Sequence, residues 1–393
     1  MDQTTDGVFG NRAYSEIVRG TFSEAEVQAV AERARQRLGG KASIAFIFAS
    51  CDLKKDLPDI LELIQIHAHC PHVVGASAGG LIGVGREEEG VTGFTLLALC
   101  LPHTQVGVYE LPKSLNERWE NASQWNQAEN TGWILLGNPV MVGEQWMTEW
   151  NSRMGNAPTY GGLASGSQQA EDLFLFTEKG LSEASAIAIG FQGGVKLHGL
   201  VSQGCRPIGE PLTITKADDH LIYQLASLNA YDQLQAAFNS LPEEERETAQ
   251  GNILVGLAMT EYVEDFSTGD FLVRSIIGGD PANGSLAVGA SPRVGQTLQF
   301  QLRDRTAADD ELRDMLLQSQ ARLSASPFAS LLFTCSGRGQ QLFGKPHHDA
   351  ALFKDTFGFM PTAGFFCNGE IGTVGGKAYL HGFTASGVLL TDA

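Results

Sequence analysis

The residues best suited to chemistry cluster near the C-terminus of the 393-residue chain. Cys335 and Arg338 stand in CSGRG, Asn368 and Glu370 in CNGEIG, and His381 opens HGFTAS, each beside an apolar run. Glycines surround them, and glycine permits positive φ and close backbone approach. This concentration predicts one ligand-binding pocket at strand ends, with backbone N–H groups in its floor. The alternative is tight-turn chemistry with nothing bound.

Glu370 and Arg338 carry the charges that a polar ligand would need. Glu370 stands among apolar residues, and an isolated buried charge is very costly. Arg338 is its predicted partner, because a guanidinium presents a planar fork to a carboxylate. The pair could join two loops only, or it could meet the carboxylate and the ammonium of a ligand. The sequence leaves both interpretations open.

Cys335 could also be a nucleophile, since Arg338 and loop N–H groups would stabilise its thiolate. That chemistry needs a base within hydrogen-bond reach, and His347, His348 and His381 are the candidates in the sequence. Cysteine is also among the most buried residue types, and Cys335 could be a packed strand residue. A catalytic role for Cys335 with His381 is therefore the alternative to a binding role.

Two further loops lie in the N-terminal half. GASAGG (75–80) resembles a phosphate-binding turn only weakly, because no lysine follows it. GREEEG (85–90) is either a solvated charged turn or a ligand clamp. Ser77 and Arg86 are the candidate ligand-binding residues of these loops. No Walker A, HExxH or GxSxG pattern occurs, and neither a cofactor nor a metal is expected.

The motifs themselves resemble a known family. CSGRG, GFFCNGEIG and HGFTAS closely resemble the C-terminal part of the FIST domain family. IAFIFAS (44–50), VVGASAGGLIGVGREEE (73–89) and LALCLP (97–102) resemble its N-terminal part. The resemblance covers about residues 25–390. It implies a sensory module of signal transduction that binds small ligands, possibly amino acids, and it supplies no catalytic residue.

The elements that must position these residues repeat along the chain. A strand, a helix and a strand ending in small residues occur at 44–80, 133–167 and 330–372, each followed by another apolar strand. The apolar runs are longer than those of a simple alternating strand, which indicates sheets covered on both faces. The predicted fold is α/β (α+β), with mixed β-sheets, helices packed outside and repeated βαββ-like units. A looser fourth copy is placed at 252–261.

The length favours two domains, predicted at 23–225 (FIST N-terminal-like) and 226–393 (FIST C-terminal-like). Ser23 begins a capping-box pattern at the start of the first helix. The polar run 241–251 is the candidate linker. A later helix is predicted at 307–323, with acidic residues in its first turn that match the helix dipole.

The net charge of −18 and the pI near 4.9 exclude the usual basic surface of a nucleic-acid or anionic-membrane binder. The N-terminus lacks the order of a signal peptide, no long apolar span is present, and the six cysteines form no CxxC. The sequence predicts a soluble cytoplasmic sensor rather than an enzyme, which binds a small molecule and signals to a separate protein. A protein-interaction scaffold is a further alternative.

Overall fold

The computed structural model describes residues 10–113, 130–262, 266 and 268–393. The first nine residues, which enter the argument against a signal peptide, lie outside this range. The described chain forms two compact units. The first contains the described residues up to Val201 together with Asp314–Leu380 and Thr384–Ala393, and the second contains Ser202–Arg313 and His381–Phe383.

The described residues form eight α-helices, none of which combines the length and the hydropathy needed to cross a membrane. In chain order they are α1 (Glu24–Leu38), α2 (Leu57–Ala68), α3 (Glu144–Met154), α4 (Ala230–Asn239), α5 (Glu243–Ala249), α6 (Arg305–Arg322), α7 (Gly339–Phe343) and α8 (His348–Phe357).

The strands of the first unit begin with β1 (Arg12–Arg19), β2 (Ile44–Ala49), β3 (Val73–Ser77), β4 (Gly80–Gly83), β5 (Arg86–Glu89), β6 (Gly93–Cys100), β7 (Thr104–Leu111), β8 (Asn130–Gly137), β9 (Thr159–Leu163), β10 (Leu175–Thr177), β11 (Gly180–Ser182), β12 (Ala186–Gly193) and β13 (Val195–Ser202). The remaining strands are β14 (Cys205–Asp218), β15 (Leu221–Leu225), β16 (Leu228–Asn229), β17 (Ile253–Ala258), β18 (Phe271–Asp280), β19 (Ser285–Val288), β20 (Thr297–Arg303), β21 (Ala329–Cys335), β22 (Thr362–Cys367), β23 (Glu370–Val374), β24 (Lys377–His381) and β25 (Ala385–Asp392).

Three six-stranded sheets share one plan. Their strand orders are β1-β6-β2-β3-β10-β11, β7-β12-β8-β9-β23-β24 and β13-β25-β21-β22-β4-β5. In each sheet the two central strands are parallel, namely β2 with β3, β8 with β9 and β21 with β22, and the chain between them contains helix. The predicted mixed sheets of repeated βαββ-like units are confirmed, in three copies.

Each sheet is completed by a hairpin from another repeat. The β4–β5 hairpin follows β3 in the chain, yet β4 pairs with β22 of the third repeat. In the same way β10 of the second repeat pairs with β3, and β23 of the third pairs with β9. Since an unpaired strand edge exposes a row of backbone donors and acceptors, the cyclic exchange covers all three edges and interlocks the repeats.

The centre of the first unit is a core to which all three sheets contribute. Phe48 stacks on Phe365 with ring centroids 4.6 Å apart, and Phe333 meets both rings edge-on at about 6 Å. Helices α1 and α2 cover the outer face of the first sheet, and α3 covers the second. The helices therefore lie outside the sheets, as the apolar runs predict.

The second unit holds a different architecture. Its strand order is β14-β20-β17-β18-β19-β15-β16, and β14 also pairs with β15, so that the sheet closes on itself. The printed pairings in this sheet are antiparallel. The segment 252–261 is thus no fourth copy of the repeat, because its strand β17 lies between two antiparallel neighbours.

Three local expectations need correction. The segment 241–251 contains α5, because three of its four glutamates occupy the first turn of a helix, where the dipole favours acidic groups. Helix α6 begins at Arg305 rather than 307, and the Asp304 carboxylate accepts the N–H groups of Thr306 and Ala307. Ser23 is the N-cap residue of α1, but its side chain makes no capping hydrogen bond.

The two parallel strands of each repeat approach so closely that there is no room for a side chain at one glycine, which a substitution can test. A Cβ at Gly364 would lie 1.8 Å from the carbonyl oxygen of Leu332, and Gly75 and Gly161 repeat that contact in the other two sheets. We expect Gly364→Ala to lower the free energy of unfolding by about 3 kcal/mol, since backbone atoms must move. Urea denaturation followed by circular dichroism measures it.

Gly40→Ala is the matched control, because nothing lies within 4 Å of its added Cβ. It should change the free energy of unfolding by less than about 0.5 kcal/mol. Similar small effects of both substitutions would contradict the close approach.

Candidate functional site

The candidate site lies at the carboxyl ends of two neighbouring strands. Cys335 ends β21 and Cys367 ends β22, and the two residues are partners in the parallel register. The backbone N–H and the hydroxyl of Ser336 both donate to the carbonyl oxygen of Cys367, at 3.0 and 2.8 Å. The loops that follow the two strands therefore start side by side.

Arg338 is fully buried and forms a fork with Asp349. Its Nε donates to Asp349 Oδ2 at 2.7 Å and its Nη2 donates to Oδ1 at 3.0 Å. His348 Nδ1 lies 2.9 Å from the same Oδ1, with its ring stacked on Phe343. The sequence predicts Glu370 as the partner of Arg338, and the observed fork to Asp349 corrects that prediction.

Asp349 is ionised in this setting. Burial by itself would raise its pKa, but the charge of Arg338 and the hydrogen bonds from His348 and Arg338 outweigh burial and lower the pKa to about 2. Arg338 and Asp349 thus form a buried ion pair, in which removal of either partner would leave an uncompensated charge.

Glu87 enters the site from the first repeat. It lies on β5 and is buried, whereas the sequence favours a solvated turn for GREEEG. Its Oε1 accepts the N–H of Ala350 in the first turn of α8, and its Oε2 has no hydrogen-bond partner among the described residues. Burial, followed by the charge of Asp349, raises the pKa of Glu87 to about 8.

Glu370 is the second buried carboxyl. Its Oε2 accepts the N–H of Thr384 at 3.1 Å, while its Oε1 accepts no hydrogen bond from a described residue. Burial raises the pKa of Glu370 well above its usual range, and the Thr384 N–H, the Arg338 charge and the Cys335 thiol counteract only part of that rise. Burial therefore disfavours the ionised form of Glu370.

We call Arg338, Asp349, Glu87 and Glu370 the Arg338 cluster. It holds one cation, one ionised carboxylate and two carboxyls whose charged form is disfavoured by burial. Among the described residues, no three His, Cys, Asp or Glu side chains are grouped so that they could hold a metal ion. The cluster is suited to holding and releasing protons.

The two cysteines differ in access. Cys335 is partly exposed, and its Sγ accepts the N–H of Gly337 at 3.4 Å. Cys367 is fully buried, and burial followed by the charge of Glu370 raises the pKa of its thiol well above the usual range. Cys335 is therefore the more accessible of the two cysteines at this end of the sheet.

The other predicted site residues lie in different surroundings. Asn368 follows Cys367 and its side chain is exposed, as is that of Arg86 on β5. Ser77 is buried, and its hydroxyl accepts the N–H of Phe174, which ties β10 to β3. His381 is buried at the end of β24 and belongs to the second unit. Cys335, Arg338 and Glu370 thus interact with one another, whereas Ser77 serves strand pairing.

Sequence reasoning missed Asp349 and Glu87. Asp349 follows two histidines at the start of a short helix, where an acid usually serves the helix dipole. Glu87 had a usable signal, since residues of a strand alternate between faces and one acid of R-E-E-E must point opposite to its neighbours. Which face of β5 is buried follows only from the pairing of the β4–β5 hairpin with β22 of the third repeat.

The raised pKa of Glu87 predicts a pH dependence of stability. Between pH 4.5 and 8 the folded chain holds a proton on Glu87 that the unfolded chain has lost, so this group makes stability fall as pH rises. We expect Glu87→Gln to remove up to about 1.4 kcal/mol of that fall per pH unit. Urea denaturation from pH 5 to 7.5 measures the slope.

Glu62→Gln, at an exposed position of α2, is the control and should leave the slope unchanged. The opposite contribution of Asp349 lies near pH 2 to 4, outside the measured range. A slope that Glu87→Gln does not alter would mean that Glu87 is ionised in the folded chain.

Comparison with known proteins identifies the family. Residues 43–227 match the FIST N domain and residues 228–373 match the FIST C domain. An uncharacterized protein of Mycobacterium tuberculosis is 30% identical over 369 residues, covering 94% of this chain and 96% of the relative. One of Mycobacterium bovis is 31% identical over 376 residues, with the same shares covered.

A solved structure, a cyanuric acid hydrolase from A. caulinodans, aligns over 97% of this chain and 99% of its own at 9% identity. Its TM-score of 0.31 is too low to support any argument about this chain. The family models together cover most of the sequence, and the relatives match along nearly their whole length. The chain belongs to the FIST family, as a FIST N domain followed by a FIST C domain.

Proposed function

We propose that this protein is a sensor that binds an amino-containing small molecule at Glu370. FIST domains are associated with signal transduction and small-ligand sensing. The observation that carries the proposal is a fully buried carboxyl whose Oε1 has no partner among the described residues. A buried polar atom of this kind is costly unless a ligand or water satisfies it.

An ammonium group is the best match for this carboxyl. Burial disfavours the charged form of Glu370, and a cation at Oε1 would reverse that preference. Binding would then release the proton to solvent and form a buried ion pair. The Arg338 fork is already occupied by Asp349, so we assign to Arg338 the electrostatic support of the site rather than the capture of a carboxylate.

The opposite end of the ligand would face the loops that follow β21 and β22. Ser336 and Asn368 are the first residues beyond the two strands, and both are exposed. The Ser336 hydroxyl already donates to the carbonyl oxygen of Cys367, so the Asn368 amide is the side-chain donor proposed for a ligand carboxylate, which makes amino-acid-like zwitterions the leading ligand class.

A change in the charge of the Arg338 cluster would transmit the signal. Ionisation of Glu370 adds one negative charge beside Arg338, whose field also acts on Glu87. Glu87 supports the start of α8, and Glu89 accepts the N–H of Gln340 in α7. Helices α7 and α8 therefore both contact the β4–β5 hairpin. We propose that a separate protein partner binds the surface formed by these two helices.

A cysteine-dependent reaction is the second candidate, because Cys335 is partly exposed and interacts with the Glu370 carboxyl. Of the histidines considered from the sequence, His347 Nδ1 lies at the backbone of Glu87 and His348 Nδ1 lies at Asp349. The Glu370 carboxyl, which interacts with Cys335, would be a further candidate base once it is ionised.

The binding proposal predicts proton release. We expect a thermal-shift screen of the standard amino acids to find a stabilising compound. Calorimetry with that compound in buffers of different ionisation enthalpy should show close to one proton released per molecule bound. Glu370→Gln should abolish the release and weaken binding at least 10-fold, while Glu62→Gln should behave as wild type. Binding without proton release, or equal affinity in Glu370→Gln, would remove Glu370 from the site.

Alkylation separates the two candidate functions. With iodoacetamide at neutral pH we expect Cys335 to react before the buried Cys367, yet more slowly than a small free thiol, because Arg338 is paired with Asp349 and a carboxyl adjoins the sulfur. Mass spectrometry of peptides over time measures both rates. Stoichiometric labelling of Cys335 faster than the free thiol would favour the enzyme.

A further inference from the structure

A cleft of about 520 Å³ opens in the second compact unit. One wall is a complete face of α4, whose residues follow the spacing of successive helical turns: Tyr231, Leu234, Gln235, Phe238 and Asn239. The other wall comes from the end of α5 and from β17 and β18, and includes Gln250, Ile253 and Ile276.

Large apolar side chains line this α4 cleft without being covered. Tyr231, Leu234, Phe238, Ile253 and Ile276 pack with one side against the core of the second unit and stay partly exposed on the other. Single exposed apolar residues are common on protein surfaces, whereas a concave group of five marks a binding site. The volume lies within the range of small-molecule pockets, about 300–1,000 Å³.

Among the described residues that line the cleft, none has a charged side chain. Its ten residues include no Asp, Glu, Lys, Arg or His, and their polar side chains are the phenol of Tyr231 and the amides of Gln235, Asn239 and Gln250. The three amides are exposed, so they form a polar rim above an apolar floor. A charged ligand would lose its hydration here without gaining a counter-charge, which is costly.

We propose that the α4 cleft binds a neutral, ring-containing small molecule, whose apolar body rests on α4 and whose hydrogen-bonding group meets the amide rim. This site is independent of Glu370, which belongs to the first unit. The protein would then recognise two chemically different molecules, a polar amino compound in the first unit and an apolar neutral compound in the second.

Two naphthalene probes of similar shape test the ligand class. N-phenyl-1-naphthylamine is neutral, and 1-anilinonaphthalene-8-sulfonate carries a sulfonate on nearly the same ring system. We expect the neutral probe to bind the full chain saturably, at one molecule per chain, with increased fluorescence. The sulfonate should bind at least 10-fold more weakly. Equal affinity for both probes would contradict the uncharged lining as the basis of selection.

Substitutions locate the probe. Leu234→Trp should fill the cleft and weaken binding of the neutral probe at least 10-fold. Ile277→Trp is the matched control, because Ile277 is 67% exposed and is not among the residues that line the cleft. Thermal unfolding checks that both variants fold. Gln235→Trp, at an exposed rim position, repeats the block with little risk to the fold.

The proposal is overturned if neither Leu234→Trp nor Gln235→Trp weakens the neutral probe, or if Ile277→Trp weakens it equally. Glu370→Gln should leave binding of the neutral probe unchanged. This expectation holds whether or not the same variant affects amino-acid binding. The two sites can therefore fail separately.

Discussion

The architecture of the first unit depends on covering one free edge in each of its three parallel strand pairs. Strands β3, β9 and β22 each end a sheet whose next strand must come from elsewhere, and each receives a hairpin from another repeat. Unpaired backbone groups at such an edge can pair with another chain. The exchange of hairpins therefore removes three sites of unwanted association. It also means that no single repeat forms a complete sheet.

The same exchange assembles the Arg338 cluster. The β4–β5 hairpin, paired with β22, brings Glu87 from the first repeat against α8, where its Oε1 meets the N–H of Ala350. Strand β23, paired with β9, begins with Glu370. Two of the three carboxyl groups around Arg338 therefore arrive on exchanged hairpins, so the site and the strand pairing depend on each other.

The electrostatics follow from burial. One guanidinium forms a full fork with one carboxylate, Asp349, and burial disfavours the charged form of the other two carboxyls, which form no ion pair with a described residue. Under the proposed function, a cationic ligand at Glu370 would change the charge of this cluster. The α4 cleft of the second unit has the opposite character, with an apolar floor, amides at its rim and no charge in its lining. The two units thus offer different chemistry to ligands.

The sequence by itself determined the local elements and the repeat. Short continuous apolar runs such as 44–49 favour a strand buried on both faces, and the helices follow from their apolar period. It also located Cys335, Arg338 and Glu370, because polar residues among glycines at strand ends are unusual. The tertiary structure alone decided the partners. Asp349 rather than Glu370 holds Arg338, and Glu87 is buried, because strand pairing between repeats depends on edges that are distant in the chain and leave no local pattern.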